Sequence, residues 1–264
     1  MFTSQILSIR LTWLATPIVA VSICSFVSAQ PHNELLTANS KTSATSPQFA
    51  PINPNISPAI YSSKPIELRT LGQTIIFVNP SDYCTVGDSA KEHDLVISAK
   101  QILGDTVQLV YFAARCEELK EYRIGRRKTL DHWMQIQLIG NKGRFKRLEV
   151  TRDAFLTSVS STAPKLDLDE LRDRINLQIR ELNLGLSNIS MRPIGRDGNA
   201  LYMASRSTVQ SQDKVKLISA VGGITLVNSL PLSIWVYEVK GAPVRHSQLH
   251  RILQQSMLSL ITQN

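Results

Sequence analysis

Six of the twelve prolines fall between Pro31 and Pro65, in a stretch of Ser, Thr and Asn with no helical or strand period longer than a few residues. A segment of that composition cannot bury enough apolar surface to offset its own ordering entropy. It confines the fold to the residues C-terminal to it. Residues 30–70 therefore read as a disordered linker rich in Pro, Ser and Asn, serving either as a spacer or as an irregular N-terminus. Residues 71–264 have the length of one domain of ordinary size.

The first 29 residues read as an export signal. Arg10 is the one charge among them, and an apolar run from Leu11 ends in Val27-Ser28-Ala29, a small-residue cleavage site before Gln30. Pro17 interrupts the run. The competing reading is an uncleaved inner-membrane anchor formed by residues 11–29, since a run of that length can nearly span a bilayer. Cys24 follows Ile23, which is not the small residue a lipid-attachment signal wants. The expected location is periplasmic or secreted.

Once the signal is removed, two cysteines remain, Cys84 and Cys116, and in an oxidising compartment they can pair in one way. The chain-entropy model assigns such a loop roughly 3 to 4 kcal/mol of stabilisation. A catalytic Cys84 working with His93 or His132 is the alternative.

From residue 71 onward strands and helices alternate. Thr74–Asn79 reads as a strand stopped by Pro80, and Ser89-Ala90-Lys91-Glu92 reads as a capping box opening a helix that carries Leu95, Val96, Ala99 and Leu103. Thr106–Ala113 is a second strand. His132–Ile139 and Phe145–Val150 flank Gly140-Asn141-Lys142-Gly143, a loop of hairpin composition. Met134, Ile136 and Leu138 alternate with Gln135 and Gln137, which predicts one buried face and one wet face. Asp167–Asn183 is the clearest helix, with Leu168, Leu171, Ile175, Ile179 and Leu182 on one stripe. Strands dominate the last third, and Val244–Thr262 closes the chain as a helix. The pattern predicts an α+β fold, an antiparallel sheet of six to seven strands packed with helices and clipped by one disulfide.

Ile76-Phe-Val-Asn-Pro-Ser-Asp-Tyr-Cys84, Leu109-Val-Tyr-Phe-Ala-Ala-Arg-Cys116, and Gly223 to Tyr237 before a terminal helix ending at Asn264 resemble exported proteobacterial proteins of unknown function. The order of elements is also similar to the PsbP-like sandwich. The first likeness implies export. The second implies a fold used by accessory and binding proteins, and neither supplies catalytic residues.

Chemistry-bearing motifs are sparse. The sequence lacks a nucleophile elbow, a zinc-protease helix, a phosphate-binding glycine loop and an EF-hand loop, and no motif calls for a cofactor. His246 and His250, four apart at the start of the terminal helix, form a weak candidate metal pair that needs a third ligand such as His93, His132 or Glu238. Asp131-His132 invites a dyad, but neighbours on a regular strand face opposite ways.

Charge is more informative. The net charge is +8, and between Arg115 and Arg152 eleven basic residues stand against five acids. Two clusters hold most of them: Arg123, Arg126, Arg127 and Lys128, then Lys142, Arg144, Lys146 and Arg147. Convergent, they would form an anion-binding surface for acidic lipid or lipopolysaccharide; dispersed, they are solvated loop charges. Nucleic acid does not suit an exported chain whose Tyr122, Trp133 and Phe145 are too scattered to stack bases. The expectation is an exported binding or accessory module of a bacterial envelope, whose partner could equally be an envelope protein. A hydrolase with a site assembled from distant residues, and a secreted factor acting on another cell, are the alternatives.

Overall fold

The computed structural model describes residues 64–264, apart from 104, 141–142, 163–166, 181–183, 212–213 and 241–245. The expected signal segment, most of the expected linker and Lys142 lie outside the described residues. The fold starts earlier than the linker boundary at residue 70 allows. Ile66–Thr70 (β1) pairs antiparallel with Gln73–Phe77 (β2), turning through Leu71 and Gly72, both at positive φ. The inward positions of this hairpin are Leu68, Ile75 and Phe77, so its apolar alternation outweighs the Pro-rich composition beside it.

The remaining strands form one sheet: Tyr83–Thr85 (β3), Val107–Arg115 (β4), His132–Ile139 (β5), Leu184–Arg196 (β6), Leu201–Ser211 (β7), Lys214–Val227 (β8) and Leu230–Lys240 (β9). Their order is β3-β4-β5-β9-β8-β7-β6, with every neighbouring pair antiparallel. The expected α+β class, its seven-stranded antiparallel sheet and its disulfide are all present. Cys84, on edge strand β3, lies opposite Ala114, and Cys116 is the first residue of the helix that follows β4. Their sulfurs are 2.03 Å apart and their α-carbons 4.9 Å, so the bridge clips a three-residue edge strand to its neighbour.

Helices cover both faces. Ala90–Leu103 (α1), Cys116–Arg123 (α2), Arg152–Thr162 (α3) and Leu168–Ile179 (α4) contribute Leu95, Leu119, Phe155, Leu156, Leu171 and Ile175 to one apolar layer. On the other face His246–Thr262 (α5) and the β1–β2 hairpin cover Met134, Ile136, Leu138, Ile234 and Val236. Two adjacent glycines on β8 make room on its two faces, one for a ring of the neighbouring strand β9 and one for α5. A Cβ on Gly222 would lie 2.4 Å from the Trp235 ring, and one on Gly223 would lie 2.6 Å from the Met257 methyl of α5. The chain end is tied in as well, because the Asn264 amide accepts from the Ile76 N–H at 2.9 Å and donates to the Ile76 carbonyl at 2.8 Å.

Two readings of the β5 region change. Phe145–Val150 is not a strand, because both sides of β5 are already occupied, by β4 and by β9. Gln135 and Gln137 are not on a wet face either, since both are fully buried beneath the helices. Alternation marked the two faces of β5 correctly, but in a sheet covered on both sides the second face also meets protein.

Candidate functional site

α2 begins where β4 ends, and this places Glu118 against the first residues of β5. One Glu118 oxygen accepts from the backbone N–H groups of Asp131 (2.7 Å) and His132 (3.0 Å), and the other meets His132 Nδ1. The opposite ring nitrogen, Nε2, lies 3.3 Å from Glu238, the residue facing His132 on β9. Glu118 and Glu238 are 7% and 3% exposed, so the imidazole is held between two buried carboxylates. Arg127 joins the group, with Nη1 at 3.3 Å from Glu118 and 3.0 Å from Asp131, and Nε at 3.3 Å from Glu121.

The electrostatics follow from this wiring. Burial raises the pKa of Glu118, but the His132 ring and the two backbone N–H groups outweigh it and the net shift is downward. Tyr83 sits close by on β3. Burial, Asp82, Glu118 and Glu238 all push its phenol pKa up against the pull of Arg115, so the hydroxyl stays protonated.

A second ion cluster forms where α1 meets α2. Glu92 is fully buried and accepts from the Gly87 N–H (2.9 Å), the Asp88 N–H (3.3 Å) and the Ser89 hydroxyl (2.8 Å), while Arg123 Nε reaches it at 2.7 Å. Burial opposes ionisation, yet Arg123 and these three donors bring the Glu92 pKa down to about 2. Ser89 caps the start of α1 by accepting from the Glu92 N–H at 3.4 Å, and the Glu92 carboxylate, taking the Gly87 and Asp88 N–H groups in place of the expected Ser89 N–H, also anchors a neighbouring helix.

These contacts divide the nominated cations. Arg123 is committed to Glu92 and Asp88, and Arg127 to Glu118, Glu121 and Asp131. Arg126 and Lys128 are exposed beside them. The other cluster lies at the far end of β5, roughly 23 Å away for eight residues of extended chain. There the Gly143 N–H donates to Asp105 and the Leu148 N–H to Ser229, both at 2.8 Å. Phe145 and Leu148 turn inward against the two cores, leaving Arg144, Lys146 and Arg147 exposed. The two clusters do not form one patch.

No group of three His, Cys, Asp or Glu residues able to hold a metal ion occurs among the described residues. His132 has Nδ1 on Glu118 and Nε2 at 3.3 Å from Glu238. His250 is a lone ring standing edge-on to Tyr202, with centroids 5.3 Å apart; burial lowers its pKa, with Asp197 opposing. The side chain of His246 lies outside the described ones. Asp131 and His132 do share one cluster, because Asp131 precedes the strand and the rule for alternating strand neighbours does not reach it. Glu118 was missed: it is fourteen residues from His132 and looked like one more charge on a polar helix. The signal that could have found it is a helix starting directly at the end of a strand, beside an Asp-His pair.

No family model matches the chain, and no curated protein does. Among solved structures, the Saccharomyces cerevisiae Ran-binding protein Mog1p is similar over 76% of this chain and 95% of that one, at 11% identity and a TM-score of 0.32. A score that low carries no argument. No helix among the described residues is long and apolar enough to cross a membrane.

Proposed function

We propose that this chain is an exported binding or accessory module of a bacterial envelope, and that it touches anionic surfaces through Arg144, Lys146 and Arg147. The carrying observation is the contrast in how the cations are used. Arg123 and Arg127 neutralise buried carboxylates, whereas Arg144, Lys146 and Arg147 are exposed on one short segment, have no ion pair among the described residues and face only Glu149 in the same stretch. A phosphate-bearing surface suits such a group. The disulfide supports an oxidising compartment.

The test is co-sedimentation with phosphatidylglycerol vesicles, with phosphatidylcholine vesicles and lipopolysaccharide as separate arms. At about 1 kcal/mol per near-surface cation, replacing Arg144, Lys146 and Arg147 together by Ala should lower partitioning about 100-fold. Binding should also fall steeply with salt. Equal binding by the variant, or equal binding to neutral vesicles, overturns the reading. Binding to lipopolysaccharide alone would identify the glycolipid as the surface.

A further inference from the structure

The sheet has two outer strands, and they are finished differently. β3 is three residues long and is clipped to β4 by the disulfide. β6 is thirteen residues long, pairs with β7 on one side, and has no strand beyond it among the described residues. A long free edge is a row of backbone donors and acceptors open to another strand.

Two observations fix which backbone groups of β6 point outward. At Leu186 the Asn176 amide of α4 takes the N–H at 2.6 Å and donates to the carbonyl at 3.0 Å, the pair of bonds that a neighbouring strand would make. Pro193, paired with Met203, has no N–H to give β7, so its nitrogen faces away from that strand. The register is unbroken from Asn188 to Pro193, so by alternation Ile189 and Met191 also turn their N–H and carbonyl groups outward. The one-residue shift between Leu186 and Asn188 moves the outward set from even to odd positions, and the two observations agree. Asn176 closes the edge at one end and Pro193 limits it at the other. Between them the outward groups of Ile189 and Met191 have no partner among the described residues.

Side chains of this stretch sort by face. Ile189 and Met191 are half-buried at the rim of the helix-covered apolar layer, whereas Asn188, Ser190 and Arg192 are exposed. Next to Asn176 on α4, Leu177 is 73% exposed, more than any other large apolar side chain among the described residues.

We propose that this edge pairs with β6 of a second copy of the chain, antiparallel, about a two-fold axis through Ser190. In that register Ile189 of each copy meets Met191 of the other as a hydrogen-bonded pair, so every open N–H and carbonyl of the two residues is used. The apolar rim then runs on from one copy into the next, Ser190 meets Ser190, and Arg192 meets Asn188. Neighbouring registers are worse. An axis at Met191 sets Ile189 against Pro193, which lacks the donor, and an axis at Arg192 sets two guanidiniums opposite each other. This self-matching in one register favours a second copy over an unrelated strand. Because the other edge is short and clipped, pairing closes at two copies.

Sedimentation equilibrium of the full chain, taken up to about 0.5 mM because a short strand pair belongs to the weak class of interfaces, should show a dimer. Charge at the axis tests the register, since only an axis through Ser190 brings that residue against its own copy. Ser190→Lys and Ser190→Glu should each weaken self-association about fivefold or more through like charge across the axis. Mixed in equal amounts, the two variants should associate at least as tightly as the unsubstituted chain. Ser190 is exposed, so neither variant should shift the urea midpoint of the monomer. A monomer over the whole concentration range, undiminished self-association of Ser190→Lys, or no recovery in the mixture overturns the proposal. Slow amide exchange at Ile189 and Met191 in a monomeric sample also overturns it, by putting another segment of this chain on the edge. β6 shares no residue with the 143–150 segment, so vesicle binding is decided separately.

Discussion

The two ends of β5 use the same residue type in opposite ways. At the His132 end Arg127 lies among three carboxylates and Arg123 holds a fully buried Glu92, so these cations belong to the fold. At the Ile139 end Arg144, Lys146 and Arg147 stand on a segment pinned by Phe145 and Leu148, with their charges facing outward. In sequence the two clusters look alike. Carboxylates delivered from other elements, Glu92 from α1 and Glu118 from α2, make the difference. A count of charges therefore measures neither anion affinity nor stability until those partners are placed.

The strongest way to break this comparison is at Glu118. Glu118→Ala strands the Asp131 and His132 backbone donors and leaves His132 and Arg127 without their shared carboxylate. Breaking a buried pair from one side costs about 3 to 5 kcal/mol, so the urea midpoint should fall by a large fraction of the protein's stability. Glu121→Ala removes a half-exposed partner of the same Arg127 and should cost at most about 1 kcal/mol. Similar losses for the two variants would mean that the His132 end is an ordinary surface cluster.

Acid titration probes the same end less severely. The Glu92 carboxyl is depressed from its ordinary 4.5 to about 2, and a carboxyl depressed in the folded state adds stability above its unfolded value. That contribution, on the order of 3 kcal/mol, is present at neutral pH and is lost as pH falls from about 4.5 to about 2. Glu92→Gln should flatten the decline in urea midpoint across this window. An unchanged slope would show that Arg123 and the Gly87 N–H do not hold the ionised form.

Much of this architecture was legible where local chemistry decides it. Ser89 and Glu92 announced the start of α1, the stripe Leu171, Ile175 and Ile179 announced α4, and the two cysteines that remain beyond the expected export signal left one pairing. The readings that failed depend on sheet order. Gln135 and Gln137 look solvent-facing until β5 is known to lie between β4 and β9 beneath a helical layer, and Phe145–Val150 looks like a strand until both sides of β5 are taken. β1 was hidden by Pro65 and a polar neighbourhood, although Ile66 and Leu68 alternate correctly. The imidazole cluster was hidden by distance, because Glu118, His132 and Glu238 come from three elements and share no local period.

The smallest expected effect is the most discriminating, because it removes the most charge. Replacing Arg144, Lys146 and Arg147 by Ala takes away three cations that have no ion pair among the described residues, and surface changes of this kind stay within about 0.5 kcal/mol. Arg127→Ala takes away one cation, yet it leaves Glu118 and Asp131 facing each other without the guanidinium between them. The single substitution should therefore lower the urea midpoint more than the triple one, while the triple substitution alone releases the protein from acidic vesicles. If the triple variant unfolds first, the 143–150 segment is held by its charges rather than by Phe145 and Leu148. The contrast between the two ends of β5 would then be lost.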